Sequence, residues 1–144
     1  MTKQEFLAMS LPYELKAQFK RDEKKGCRQK VIGTIGVVYD NGSVVCYDTV
    51  NAYPEKFKMI LHPLSDLIKE IEHKGEKFVP INKLKTYFGW GYLWDCYKKG
   101  ETINLYAIPY ACLSKLVEWH FDIADLISKG EAIDVNTLEI NPYK

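Results

Sequence analysis

Asn41-Gly42 separates two runs of strand-forming residues, 31–40 and 43–50, and constrains the fold more than any other feature of the chain. Asn-Gly suits the two positive φ angles of a type I′ turn, whose twist matches that of paired strands. With these two residues as the loop, positions whose numbers sum to 83 face each other. Tyr39 then lies opposite Val44, Val37 opposite Cys46 and Ile35 opposite Asp48. On the other face Val38 meets Val45, Gly36 meets Tyr47 and Thr34 meets Thr49. Both faces are partly apolar, so the hairpin needs another strand beside it and helices against it. The expected fold is α+β, an antiparallel sheet built around the 31–50 hairpin with helices packed mainly on one face. A chain of 144 residues suits a single domain, 1–144, with a real core.

The remaining elements follow from weaker signals. Thr2-x-x-Glu5 forms a capping box for a first helix, and Pro12 opens a second short helix through Phe19. Residues 53–61 read as a third strand or an extended connection. Ser65 caps a helix with Leu67, Ile68 and Ile71 on its apolar stripe. Residues 78–81 read as extended and broken by Pro80. The aromatic-rich segment 82–99 reads as two short helices broken near Gly89 and Gly91. A strand over 102–108 precedes the longest helix, 109–129. Lys-Gly-Glu occurs at 74–76, 99–101 and 129–131, and each copy reads as a helix-to-strand exit capped by glycine.

No run approaches the roughly 18 apolar residues of a membrane-spanning helix, and the polar first residues lack the apolar core of a signal peptide. A cytoplasmic protein with no membrane contact is the expectation. Cys27, Cys46, Cys96 and Cys112 are separated by 19, 50 and 16 positions, which matches no zinc pattern. They read as reduced thiols, and neither metal nor cofactor is expected.

Catalytic patterns are weak. In the expected 109–129 helix, His120 falls in the stripe of Leu113, Leu116, Val117, Phe121, Ala124 and Ile127. A histidine there is a core residue first and a general base second. Asp48 breaks the hairpin's apolar pattern, as an edge charge or, less readily, a catalytic carboxylate. Gly33-x-x-Gly36 lacks the lysine of a phosphate loop and suits strand packing.

The formal net charge of +1 hides a division. Residues 16–30 carry seven basic side chains against Asp22 and Glu23, a net of about +5, whereas 118–144 is about −4. Lys24, Lys25 and Arg28 are candidate nucleic-acid contacts through phosphate neutralisation. Trp90, Tyr92 and Trp94 form a candidate partner-binding patch if they are not core.

Two stretches resemble one group of proteins. The first is His62-Pro63-Leu64-Ser65-Asp66-Leu67-Ile68-Lys69-Glu70-Ile71 with Lys77-Phe78-Val79-Pro80-Ile81. The second is Leu116-Val117-Glu118-Trp119-His120-Phe121-Asp122-Ile123 with Ala132-Ile133-Asp134-Val135-Asn136-Thr137-Leu138. Together they resemble small uncharacterised proteins of phages and prophages of gut anaerobic bacteria. The resemblance implies a mobile-element accessory protein of host-takeover or anti-defence type, acting by binding in a bacterial cytoplasm. It brings no activity, cofactor or catalytic residue. The leading expectation is a non-enzymatic protein that binds a protein partner. The alternatives are nucleic-acid association through 16–30, or a small hydrolase or transferase centred on His120 or Asp48. Homodimerisation through a hairpin edge or the Trp90–Trp94 patch is a further option.

Overall fold

The computed structural model describes residues 1–20, 30–46, 56–87, 90–99 and 108–144. Five strands form one sheet: β1 (Lys16–Lys20), β2 (Lys30–Val38), β3 (Val44–Cys46), β4 (Phe57–Leu61) and, late in the chain, β7 (Ala132–Asp134). Their order is β3-β2-β1-β4-β7, antiparallel except for the β4–β7 pair. A separate two-stranded hairpin joins β5 (Ile71–His73) to β6 (Glu76–Phe78). The helices are α1 (Lys3–Ser10), α2 (Pro80–Leu84), α3 (Trp90–Lys99) and α4 (Tyr110–Glu118). The α+β class and the antiparallel sheet are as expected, and no helix among the described residues is long and apolar enough to cross a membrane.

Alternation along the strands separates the two faces. Ala17, Phe19, Ile35, Met59 and Leu61 point into the main core, where Phe6 and Leu7 of α1 and Cys112, Leu116 and Val117 of α4 meet them. On the opposite face Ile60, Val135 and Tyr143 form a smaller cluster with Ile32 and Leu138. The segment after β7 thus lies across the outer face.

Several local expectations are corrected. Thr2 does cap α1, accepting a hydrogen bond from the Glu5 N–H at 3.1 Å. The expected helix 12–19 is instead a 3-10 turn, Leu11–Tyr13, ended by left-handed Glu14 (φ 57°) and followed by β1. The hairpin register is shifted by one: Val38 pairs with Val44 and Val37 with Val45. Only Gly42 has positive φ (84°), and its N–H donates to the Tyr39 carbonyl at 2.9 Å. The loop is therefore three residues, a turn closed by a left-handed glycine, in place of the two-residue I′ form. A register irregularity between Ile35 and Val37 falls at Gly36, where a missing side chain tolerates a bulge.

Lys74-Gly75 is not a helix exit. Both residues have positive φ, 50° and 81°, and they form the two-residue turn of the β5–β6 hairpin. The expected Ser65 helix is a 3-10 segment, Leu64–Ile68, and Pro80 opens α2 at its first turn where an extended stretch was expected. The long helix stops at Glu118, and His120 follows with φ 62°. Lys129-Gly130-Glu131 is a glycine-capped exit: Glu131 N–H reaches the Leu126 carbonyl and Gly130 N–H that of Ile127, although one turn rather than a regular helix precedes it. The remaining copy, at 99–101, begins at the last residue of α3, but 100–107 lie outside the described residues, and with them all of the expected strand 102–108 except Ile108.

Gly42 has open space around it, so only backbone strain opposes a side chain there. Gly42→Ala is expected to destabilise the protein by about 1 kcal/mol, read as a lower urea midpoint at unchanged slope.

Candidate functional site

The chain has three histidines, and the fold gathers all of them around Tyr143. The His120 ring stacks on the Tyr143 ring with centroids 4.0 Å apart. His62 and His73 each lie 6.3 Å from it, and His73 is 5.5 Å from His120. All four side chains are buried. Backbone pairing sets this arrangement. Left-handed His120 turns the chain after α4 so that Phe121 runs beside His62. The His62 N–H donates to the His120 carbonyl at 2.8 Å, and the Asp122 N–H to the His62 carbonyl at 2.9 Å. Asp122 then accepts from the N–H groups of Leu126 and Ile127, closing the following turn. Burial nevertheless pushes its carboxyl upward.

Asp66 anchors the cluster from below. Its Oδ2 lies 2.9 Å from His62 Nδ1, and Asn136 Nδ2 donates to both of its oxygens at 3.0 and 2.9 Å. Burial disfavours the Asp66 charge, but the hydrogen bonds from His62 and Asn136, with the charge of Lys69, hold its carboxyl below the usual range. An oriented His–Asp pair has the form of a general base. Here, however, His62 Nε2 is sealed from solvent between the Phe121 and Tyr143 rings and lacks a protein partner. The pair holds the fold. His73 and His120 are held well toward the neutral form, by burial first and then by Lys74 beside His73 and by His73 and His62 beside His120. Among the described residues no group of three His, Cys, Asp or Glu side chains is arranged to hold a metal ion.

The second feature is a groove of about 720 Å³ across one end of the outer sheet face. It is lined by Gln18, Phe19, Lys30, Lys56, Phe57, Lys58, Ile133, Thr137 and Leu138. The β1–β2 register sets Lys20 against Lys30, and β1–β4 sets Phe19 against Phe57. Strand alternation turns Lys58 away from the core while its neighbour Met59 is buried. Lys30, Lys56 and Lys58 are exposed, Lys3 Nζ sits 4.6 Å from the Phe57 ring, and no carboxylate is among the described lining residues. Lys30, the last residue of the basic window 16–30, lies in this groove, paired with Lys20 across β1 and β2.

The sequence-based candidates land unevenly. Lys24, Lys25, Arg28 and Asp48 lie outside the described residues, as do the side chains of Trp90 and Tyr92. Trp94 is half-buried on α3, with Lys98 Nζ 5.5 Å from its ring. His120 is a core residue, but on a left-handed turn beyond α4 rather than on a helix. Lys56, Lys58 and Tyr143 carried no recognisable signal in the sequence; only a correct reading of β1 and β4 as neighbours would have brought Lys58 beside the basic window. No known protein family matches the chain, and neither a curated protein nor a solved structure matches it.

The buried histidines make stability depend on pH. Their folded-state pKa lies below the ordinary value near 6.5, so the unfolded chain takes up protons that the folded one refuses. Stability is full above that value and falls as the pH drops below it. One unit lower, at pH 5.5, the loss is at most about 1.4 kcal/mol per histidine. Glu118 and Glu76 near His73 reduce it, whereas Lys74 and Lys16 add to it. Raised Asp122 works in the opposite direction, gaining stability as it protonates in stronger acid, and lowered Asp66 loses it there. Urea midpoints at pH 7.5 and 5.5 are expected to show the loss, and His120→Asn, which suits a left-handed residue, to shrink it.

Proposed function

We propose that this protein acts by binding, without catalysis, and that the groove beside β1 and β4 holds the backbone of a nucleic acid. One observation carries the reading: Lys30, Lys56 and Lys58 line a groove with no carboxylate among its described lining residues. Phosphates spaced along a strand reward a row of lysines by releasing counterions, with no demand on base sequence. The groove's apolar residues are largely engaged elsewhere, Phe19 in the core and Phe57 under Lys3, so backbone contact suits it better than base stacking.

A protein partner engaged through Trp90, Tyr92 and Trp94 has one described side chain behind it, half-buried Trp94. The groove is therefore the better-supported surface. A binder of this type accords with the phage-accessory role that the sequence resemblance implies, and with work in a bacterial cytoplasm. The buried Nε2 of His62 favours binding over hydrolysis at the histidine cluster.

Fluorescence anisotropy with a labelled single strand and a labelled duplex tests the proposal. Binding is expected at about 50 mM salt, weakening with a log–log salt slope of about −2 or steeper if three lysines are engaged. Lys30→Glu, Lys56→Glu and Lys58→Glu together are expected to weaken it at least about tenfold while the circular dichroism spectrum is retained. No binding at low salt, or binding unchanged in the triple variant, contradicts the reading.

A further inference from the structure

The two walls of the lysine groove differ in character. Lys30 is paired with Lys20, and the next step of the β1–β4 register after Phe19 and Phe57 sets Lys20 level with Lys56. These three lysines form a row across β2, β1 and the residue before β4, about 10 Å long at the usual strand spacing. Lys58 stands two residues along from Lys56, on the same face. Like charges placed directly opposite, as Lys20 and Lys30 are, oppose strand pairing. Lys30, Lys56 and Lys58 are exposed, and none makes an ion pair among the described residues. The row thus carries a surplus of positive charge that an anion relieves.

The opposite wall is apolar. Ile133 pairs with Ile60, four residues beyond Lys56, which sets it about 13 Å from the lysine row along the strands. Leu138 joins it in lining the groove, and Thr137 turns its hydroxyl to the Asp134 carbonyl at 2.7 Å. Glu131 and Glu139, at the two ends of the segment that carries this wall, are acidic. Phosphate is therefore attracted along one wall and repelled at the ends of the other. A duplex has phosphates along both edges and keeps its bases stacked inside, so it presents like charge to those acidic ends. A single strand has one row of phosphates, and its unstacked bases reach apolar side chains with little regard for sequence.

We infer, resting on the nucleic-acid reading of this groove, that its partner is a single strand. The backbone crosses the β-strands along the lysine row, and the bases turn toward Ile133 and Leu138. The aliphatic wall gives the bases apolar contact in place of aromatic stacking, which leaves most of the affinity with the phosphates. On charge density alone a duplex binds at least as tightly as a single strand, so a preference for the single strand comes from the second wall.

Anisotropy titrations of the full chain at about 50 mM salt use three labelled probes of about 12 units: oligothymidylate, a mixed-sequence duplex, and an abasic strand that keeps the phosphates without the bases. Oligothymidylate is expected to bind at least about fivefold more tightly than either of the others. Its log–log salt slope of about −2 is expected to flatten by about 0.7 in Lys58→Gln. The slope is expected to stay unchanged in Lys77→Gln, which removes the same charge from an exposed position on the β5–β6 hairpin. A duplex or an abasic strand that binds as tightly as oligothymidylate overturns the single-strand inference and leaves the nucleic-acid reading standing. Loss of binding by every probe, or a slope flattened equally by Lys77→Gln, removes both.

Discussion

Lys16 and Ile60 stand next in the β1–β4 register after Ala17 and Met59, and the Tyr143 hydroxyl stands between them. The Lys16 N–H donates to it at 2.9 Å, and it donates to the Ile60 carbonyl at 2.6 Å. One buried side chain thus replaces a ladder hydrogen bond at the point where the two central strands part. Burial pushes the phenol far above its ordinary pKa, so it stays a donor. The backbone around it is tied as well, with the Lys74 N–H on the Tyr143 carbonyl at 2.8 Å and Asn141 Nδ2 on the Glu72 carbonyl. The 135–144 segment is thereby fixed to β1, β4 and the β5–β6 hairpin together.

That clamp explains why three histidines are buried together. The Tyr143 ring covers His120 and approaches His62 and His73, and a dry, neutral imidazole packs there as a flat aromatic. Asp66, itself held by Asn136, satisfies one side of His62. His62 Nε2, both His73 ring nitrogens and His120 Nδ1 lack protein partners, and burial favours the neutral form of His73 and His120. The same clamp divides the surface. The segment after β7 covers the centre of the outer sheet face and leaves the lysine groove at one end.

How much of this was legible follows the range of each signal. Asn41-Gly42 is a local turn signal and announces the β2–β3 hairpin; the register departs from the two-residue form because Gly42 alone of the pair takes the positive φ. The local pattern before β1, the middle strand, favours a helix, because Pro12 suits a helix start and Lys-Ala-Gln-Phe-Lys has only two apolar residues to show its alternation. Lys74-Gly75 looked like a helix exit, although Ile71, His73, Glu76 and Phe78 carry a two-residue hairpin pattern. The helix ends at Glu118 rather than near 129, although the apolar stripe runs on through Ile127 and neither glycine nor proline announces left-handed His120. The convergence of His62, His73, His120 and Tyr143 depends on strand pairing between distant segments, which no local pattern encodes. Of the candidate site residues, the basic window was recognised as charge, but Lys56 and Lys58 join it only through the β1–β4 register.

The Tyr143 clamp is tested most directly by Tyr143→Phe, which keeps the ring stack and removes only the hydroxyl. Equilibrium denaturation at neutral pH is expected to show a loss of about 1–3 kcal/mol, because the Lys16 N–H and the Ile60 carbonyl are left without their partner. Exchange of the Lys16 amide should quicken in parallel. A variant as stable as the parent to within about 0.5 kcal/mol, with the Lys16 amide equally protected, contradicts the account.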